Sequence, residues 1–323
     1  FVGVMNLYGE MPGSPEAMPN DQLANLRQVS FTEEGADFDI DVARDGKWLV
    51  FASTQHRPTA DIYMKKTDGN TVTQLTSDPA NDTMPAISPD GKRIAFASDR
   101  SGSWDIYVMS LDGSQPMQVT NGPANELHPS WSPDGRQIVF SALGEQSGQW
   151  ELVVLDVANP DKRKFIGYGL LPEFSPNGRQ IVFQRARHRG SRWFSIWTVD
   201  YENGEASRPT EIAASTNAAA ITPTWSPDGK QIAFATVMNP TANDPNTRPR
   251  SADLWVINID GTGRTRLTTD KFVNLQPCWG LDGRVFYVSN RTGTDNLWAV
   301  TPRTTSIAGD DTPADAEAAV PTE

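Results

Sequence analysis

Apolar and polar positions alternate in short runs along most of the chain, as "KWLVFAS", "KRIAFAS", "RQIVFSA", "RQIVFQR", "KQIAFAT" and "RVFYVSN". A period of two, carried by β-branched and aromatic residues, predicts strands, because a helix would repeat its apolar positions every three to four residues. Each run follows a turn signal: "ARDG" ending at Gly46, "SPDG" at Gly91, Gly135 and Gly229, "SPNG" at Gly178 and "GLDG" at Gly283. Asp-Gly and Asn-Gly suit a two-residue hairpin whose two central positions both take positive φ. A third strand is predicted from "DIYMKK", "DIYVMS", "ELVVLD", "SIWTVD", "DLWVIN" and "NLWAVT", and a fourth from "DGNTVTQLT" and its counterparts.

Successive turn Asp or Asn residues lie 45, 44, 43, 51 and 54 positions apart. That spacing fits the four-stranded blade of a β-propeller, and helical repeats of similar length fail on periodicity. The sixth unit has only three strands before the sequence changes character after "NLWAVTP". Its missing strand has a counterpart at the other end, where "LRQVS" at 26–30 resembles "TQLT", "MQVT" and "TRLT". Pairing this segment onto the last blade would close the ring and shield an edge. Three residues before each turn Asp or Asn stand Val42, Ile87, Trp131, Phe174, Trp225 and Trp279, and six after it stand Phe51, Phe96, Phe140, Phe183 and Phe234. Tyr287 takes the equivalent place in a unit one residue shorter. Such a ring of large side chains supplies a core between blades without metal or disulfide.

The pattern of "WSPDG", an alternating strand and "DIYVM" resembles the WD40-like repeats of TolB-family propellers over about residues 24–303. The resemblance implies a six-bladed propeller of the bacterial periplasm. It is less specific for function, since the same blades occur in the non-catalytic halves of prolyl-oligopeptidase-type peptidases. TolB itself carries an α/β domain ahead of its propeller, whereas only a short arm precedes the repeats here.

With 28 basic and 40 acidic residues the net charge is −12, which repels a phosphate backbone and argues against nucleic acid. No run is long and apolar enough to span a membrane. Cys278 stands alone, which excludes a disulfide framework. The start at Phe1 is consistent with a removed signal peptide, a trimmed anchor or a chosen boundary. No Gly-x-Ser-x-Gly elbow is present, His56, His128 and His188 fall in three different units, and "GTGRTR" is a turn with no helix after it. No catalytic residue, cofactor or nucleotide site is assigned. Asp61, Asp105, Glu151 and Asp253 open the third strand in four units, and that recurrence predicts a structural role in bonding nearby backbone N–H groups.

Eight residues before the turn Asp or Asn, where the chain should reach the central channel, the units read Asp37, Asp82, Glu126, Gly169, Ala220 and Asn274. The four oxygen-bearing residues fit loop capping, a cationic partner group or Ca²⁺. Capping is favoured, because half the ring departs from the pattern, and no metal is assigned. Two insertions lengthen the connection between second and third strands. One brings together Arg185, Arg187, Arg189 and Arg192, and the other is a Pro- and Asn-rich loop ending in Arg248 and Arg250. Arginine forks suit carboxylates and phosphates, so these residues are candidates for docking an acidic protein surface or lipid headgroups.

The expectation is an all-β, six-bladed propeller of four-stranded antiparallel blades, closed by an N-terminal strand that completes the last blade. An extended arm would occupy 1–23, the propeller 24–303 and an acidic tail 304–323. Its expected role is non-enzymatic: a periplasmic protein-binding scaffold within a larger membrane-associated assembly, docking cell-envelope proteins through one loop face and the two ends. The alternative is a propeller hydrolase, or a peptidase-associated propeller, acting through channel carboxylates.

Overall fold

The computed structural model describes residues 26–186, 193–238, 249–269 and 271–302. These form six four-stranded antiparallel sheets and no helix. The innermost strands are Asp37–Val42, Asp82–Ile87, Glu126–Trp131, Leu170–Phe174, Ala218–Trp225 and Asn274–Trp279. Each touches the inner strand of both neighbouring blades and the sixth returns to the first, so the ring closes. In the last blade the outermost strand is Arg27–Gln28, paired antiparallel with Trp298 and Ala299. The proposed arm and tail lie outside the described residues.

The turn between first and second strands differs in detail from the two-residue hairpin expected. In the second blade Gly91 N donates to Ser88 O at 2.8 Å, and only Gly91, at φ 67°, is left-handed. Proline at the second position and Asp at the third therefore form a type I turn, with the glycine supplying the following left-handed residue. The Ser88 hydroxyl donates to Asp90 at 2.6 Å and accepts the Arg93 N–H at 2.9 Å. Ser132, Ser175 and Ser226 repeat both bonds.

Between blades the core is aromatic and aliphatic. Phe51, Phe96, Phe140, Phe183, Phe234 and Tyr287 are all at most 3 % exposed, and each contributes about 1.5–3 kcal/mol by burial, as an upper bound. Trp131, Phe174 and Trp225 are buried as expected, whereas Val42, Ile87 and Trp279 keep partial exposure toward the hub. A second repeat device ties the outer strands. Thr76, Thr120 and Thr268 accept the N–H groups of Ile62, Ile106 and Leu254 at 2.8–2.9 Å. In the last blade Ser30 takes this place, accepting Leu297 N–H at 2.8 Å.

Candidate functional site at the propeller hub

The carboxylates eight positions before the turns do not line the channel. Asp37, Asp82, Glu126 and Asn274 each begin an inner strand and are buried against the preceding blade. The N–H groups of Asp37, Asp82 and Glu126 donate to Asp295 O, Ala60 O and Trp104 O, just before or within the third-strand segment of that blade. This backbone seam holds their side chains in the junction between blades. There Asp82 takes both its oxygens to the Arg100 guanidinium at 2.8 Å, and Glu126 meets Arg163 at 2.7 Å. Asp37 accepts the Thr32 hydroxyl at 2.7 Å. Burial raises the pKa of Asp37 and of Glu126 against these bonds.

The acids that open the third strands are structural, but their partners are mostly side chains and not backbone N–H groups. Asp61 takes Arg57, Asp105 takes Ser101 and Ser103, Glu151 takes Ser147, and Asp253 takes Arg266. Of the six arginines on the insertions, Arg185 stacks on Trp197 at 5.6 Å and Arg250 is exposed. Arg187, Arg189, Arg192 and Arg248 lie outside the described residues, as does His188.

The hub carries a different set. A cavity of about 510 Å³ is lined by the inner strands of all six blades, from the sixth residue before each turn Asp or Asn out to the turn itself. Arg44, Pro89, Pro176, Pro227 and Leu281 stand at its turn end. Since the chain reverses at every strand, this mouth is on the face opposite Arg185 and Arg250.

Its inner end is built by one backbone device repeated six times. Asp39, Met84, His128, Leu171, Thr222 and Gln276 all take φ between 50° and 56°, in the left-handed region. The inner-strand register shifts at each of these places, which makes six β-bulges. In five units the next residue is proline: Pro85, Pro129, Pro172, Pro223 and Pro277. A left-handed non-glycine residue costs about 1–3 kcal/mol and persists only where its surroundings fix it. Here the neighbouring blade does so. The N–H groups of Asp39, Met84 and Thr222 donate to the side chains of Gln276, Asp39 and Gln184 at 2.9, 3.2 and 2.8 Å.

Two residues further on, the side chains bind the next blade again. Asp41 accepts Ile87 N–H at 2.6 Å, Ser130 accepts Phe174 N–H at 3.3 Å, and Glu173 accepts Trp225 N–H at 3.2 Å. The indole N–H groups of Trp131 and Trp225 donate to Ala86 O and Glu173 O at 3.0 and 3.1 Å. The hub is thus a pre-set ring stitched blade to blade.

Its electrostatics are unbalanced. Asp41 and Glu173 come from blades one and four, on opposite sides of the ring, and no described Lys or Arg makes an ion pair with either. Desolvation, opposed by the Ile87 and Val42 N–H groups, lifts Asp41 to about 6. Desolvation, with a smaller repulsion from Asp41, lifts Glu173 to about 8. Burial likewise holds His128 neutral, its pKa lowered to about 4, and pushes the Cys278 thiol up. Among the described residues no group of three His, Cys, Asp or Glu side chains is arranged to hold a metal ion.

Sequence reasoning did not connect Asp39, Asp41, His128, Glu173 and Thr222 with the channel, because it followed the column eight residues before each turn, whereas the channel is lined from six residues before it. The proline after the bulge was the available signal. A proline in an inner strand marks an interrupted ladder and a backbone that is not running straight.

A closed ring of six four-stranded sheets around a polar hub cavity defines a six-bladed β-propeller. The TolB beta propeller domain family matches residues 24–208, more than half the chain, and the chain belongs to that family. It is 32% identical over 140 residues to the Tol-Pal system protein TolB of Anaeromyxobacter dehalogenans, covering 43% of this chain and 29% of that protein. A 73-residue stretch is 33% identical to dipeptidyl-peptidase 5 of Porphyromonas gingivalis, covering 22% of this chain and 10% of the peptidase. The chain therefore spans under a third of either relative. In fold it is similar to a TolB-type protein of Agrobacterium tumefaciens, with a TM-score of 0.64 at 19% identity, covering 86% of this chain and 97% of that one.

Proposed function

We propose that the chain is a non-enzymatic, protein-binding propeller of the bacterial cell envelope, acting on the periplasmic side as part of a larger assembly, and that its partner docks on the turn face at the hub mouth. The observation that carries this is the hub cavity itself. Six strained bulges and a set of interblade bonds fix its shape in advance, so a partner meets a surface that needs little ordering on binding. A concave site with apolar walls and a few convergent polar groups is the usual form of a binding site. The walls here include proline and tryptophan, and the polar groups include the carboxyls of Asp41 and Glu173. Membership of the TolB family and the likeness to a Tol-Pal system protein support an envelope setting. Among the described residues no helix is long and apolar enough to cross a membrane, which fits attachment through a partner.

The arginine-bearing insertions, of which Arg185 and Arg250 are described on the opposite face, and the two chain ends are secondary docking candidates. The junction residues Asp37, Asp82, Glu126 and Asn274 are less suited to a partner, being buried between blades.

Site-specific photo-cross-linking in the native host tests the reading. A benzophenone amino acid in place of Leu281, 54% exposed at the mouth, should give a discrete protein adduct. The same group in place of Met117, 57% exposed on an outer edge, should not. Adducts from Met117 alone would overturn the mouth as the docking surface.

A second reading, a hydrolase acting through the hub carboxyls, is favoured by Glu173. A carboxyl that stays protonated to about 8 opposite an ionising Asp41 has the form of an acid and base pair. The short match to a dipeptidyl-peptidase is compatible with it. Turnover of a peptide or glycoside substrate that disappears in Glu173→Gln would establish this reading over the first.

A further inference from the structure

We infer that the hub cavity receives an arginine side chain of the docked partner, its aliphatic stem along the proline and tryptophan wall and its guanidinium between Asp41 and Glu173. This rests on the reading that the mouth is the docking face, and it names what the partner must present there.

Charge is the first support. The cavity contains Asp39, Asp41 and Glu173, and its single lining cation, Arg44, stands at the rim, where its guanidinium reaches Pro133 O at 3.4 Å. Deeper inside, Asp41 and Glu173 make no ion pair with a described Lys or Arg. Burial holds both of them above the ordinary carboxylate range, which is the condition a bound cation would relieve.

The second support is independent of the acids. Thr222, only 8 % exposed, and His128 both line the cavity, and Thr222 Oγ1 and His128 Nδ1 have no hydrogen-bond partner. Buried polar atoms are almost always paired, so two orphans lining one cavity, from blades three and five, point to a missing group. With His128 neutral, its Nδ1 can accept, as can the Thr222 oxygen, the Asp41 carboxylate and Glu173 once a bound cation has displaced its proton. The missing group is therefore a multiple donor. A guanidinium has five N–H donors in a planar fork and an ammonium three, so arginine can serve all four acceptors where lysine cannot.

The third support is the wall. Pro89, Pro176, Pro227, Trp131, Trp225 and Trp279 give an apolar passage from mouth to carboxyls. Long basic side chains bury their methylene stems along such surfaces while the head stays with polar partners. Tryptophan faces also attract a guanidinium in transit.

The test uses n-butylguanidinium as the arginine analogue and N-butylurea as its neutral counterpart. Binding to the whole chain is followed by NMR on the indole N–H signals of Trp131 and Trp225. Saturable shifts of both signals with n-butylguanidinium, and binding about ten-fold or more weaker with N-butylurea, are expected. The double variant Asp41→Asn, Glu173→Gln should lose the preference, and Arg44→Ala should strengthen it by removing a like charge at the rim. Equal binding of the two compounds, shifts confined to outer-surface residues, or no hub shift at all would overturn the inference. The cross-link from Leu281 separates this failure from that of the docking reading. An adduct formed equally by wild type and double variant, with no guanidinium preference, leaves docking in place and removes the arginine.

Discussion

Two sets of carboxylates lie on the inner strands, one at the blade junctions and one at the hub, and they differ in what faces them. At the blade junctions Asp82 and Glu126 each meet an arginine of their own blade, Arg100 and Arg163, within 2.8 Å. At the hub Asp41 and Glu173 meet N–H groups, a thiol, the Thr224 hydroxyl and a cavity, and no described cation pairs with either. Both sets are acidic and both stand on inner strands tied to a neighbouring blade, so residue type alone does not separate them. What separates them is the counter-charge. The junction carries its own, and the hub leaves that place to another molecule.

The largest effect is expected at the junction. Arg100→Ala strands the fully buried Asp82 carboxylate and removes cation–π contacts at 5.7 Å to Phe96 and 4.9 Å to Tyr107. Urea unfolding should show a loss of about 3–5 kcal/mol. A loss below about 1 kcal/mol would show that the pair is no more than a surface ion pair.

Next comes the pairing of the N-terminal strand with the last blade. Ser30→Ala removes the acceptor of Leu297 N–H and a contact to Asn296, leaving a buried donor unpaired. A destabilisation of about 1–3 kcal/mol is expected by thermal unfolding. Thr268→Val, the equivalent change in the fifth blade, should cost a similar amount, and a much smaller loss at Ser30 would show that the segment before Phe31 contributes little to the last blade.

The hub carboxyl should show itself in pH dependence. Folded Glu173 keeps its proton to about 8, whereas in the unfolded chain it ionises near 4.5, so between these values the unfolded state holds fewer protons. Stability therefore falls as pH rises through that window, by up to about 1.4 kcal/mol per pH unit. His128, lowered to about 4, acts in the opposite sense below about 6.5, and Asp41 ceases to contribute above about 6. The interval from about 6.5 to 8 thus belongs to Glu173 among these three. Chemical denaturation of Glu173→Gln across that interval should show the slope removed, and an unchanged slope would place its origin elsewhere.

Smallest of all is Asp41→Asn, since the amide oxygen can still accept Ile87 N–H. Stability at neutral pH should change by less than about 1 kcal/mol and can rise, because an unpaired buried charge is removed. A loss as large as that of Arg100→Ala would erase the distinction between the two sets.

The six alternating runs and their turns made the blades legible in the sequence, because strand period and turn chemistry are local properties. Phe96, Phe140 and Phe234 could be placed in the core for the same reason. The hub was not legible in that way. Asp82 and Asp41 are both acids on an inner strand, and which of them faces the channel is decided by the bulge between their positions, a backbone feature that no residue type announces. Pro85 and Pro129 mark that bulge, but its effect on side-chain direction is set by bonds from the neighbouring blade, such as Asp39 to Met84 N–H. Pairing was hidden as well. Arg100 is 18 residues from Asp82 and Arg163 is 37 from Glu126, so only the folded ring shows which carboxylates are satisfied.

The contrast between the two sets is tested most directly by the titration of one carboxyl. ¹³C NMR of the Glu173 side-chain carboxyl, followed from about pH 3 to pH 10, reports its ionisation in the folded protein. A midpoint near 8 is predicted for a carboxyl held in the hub without a counter-charge. A midpoint at or below 4.5, the ordinary glutamate range, would contradict it and show that the hub already holds its own partner.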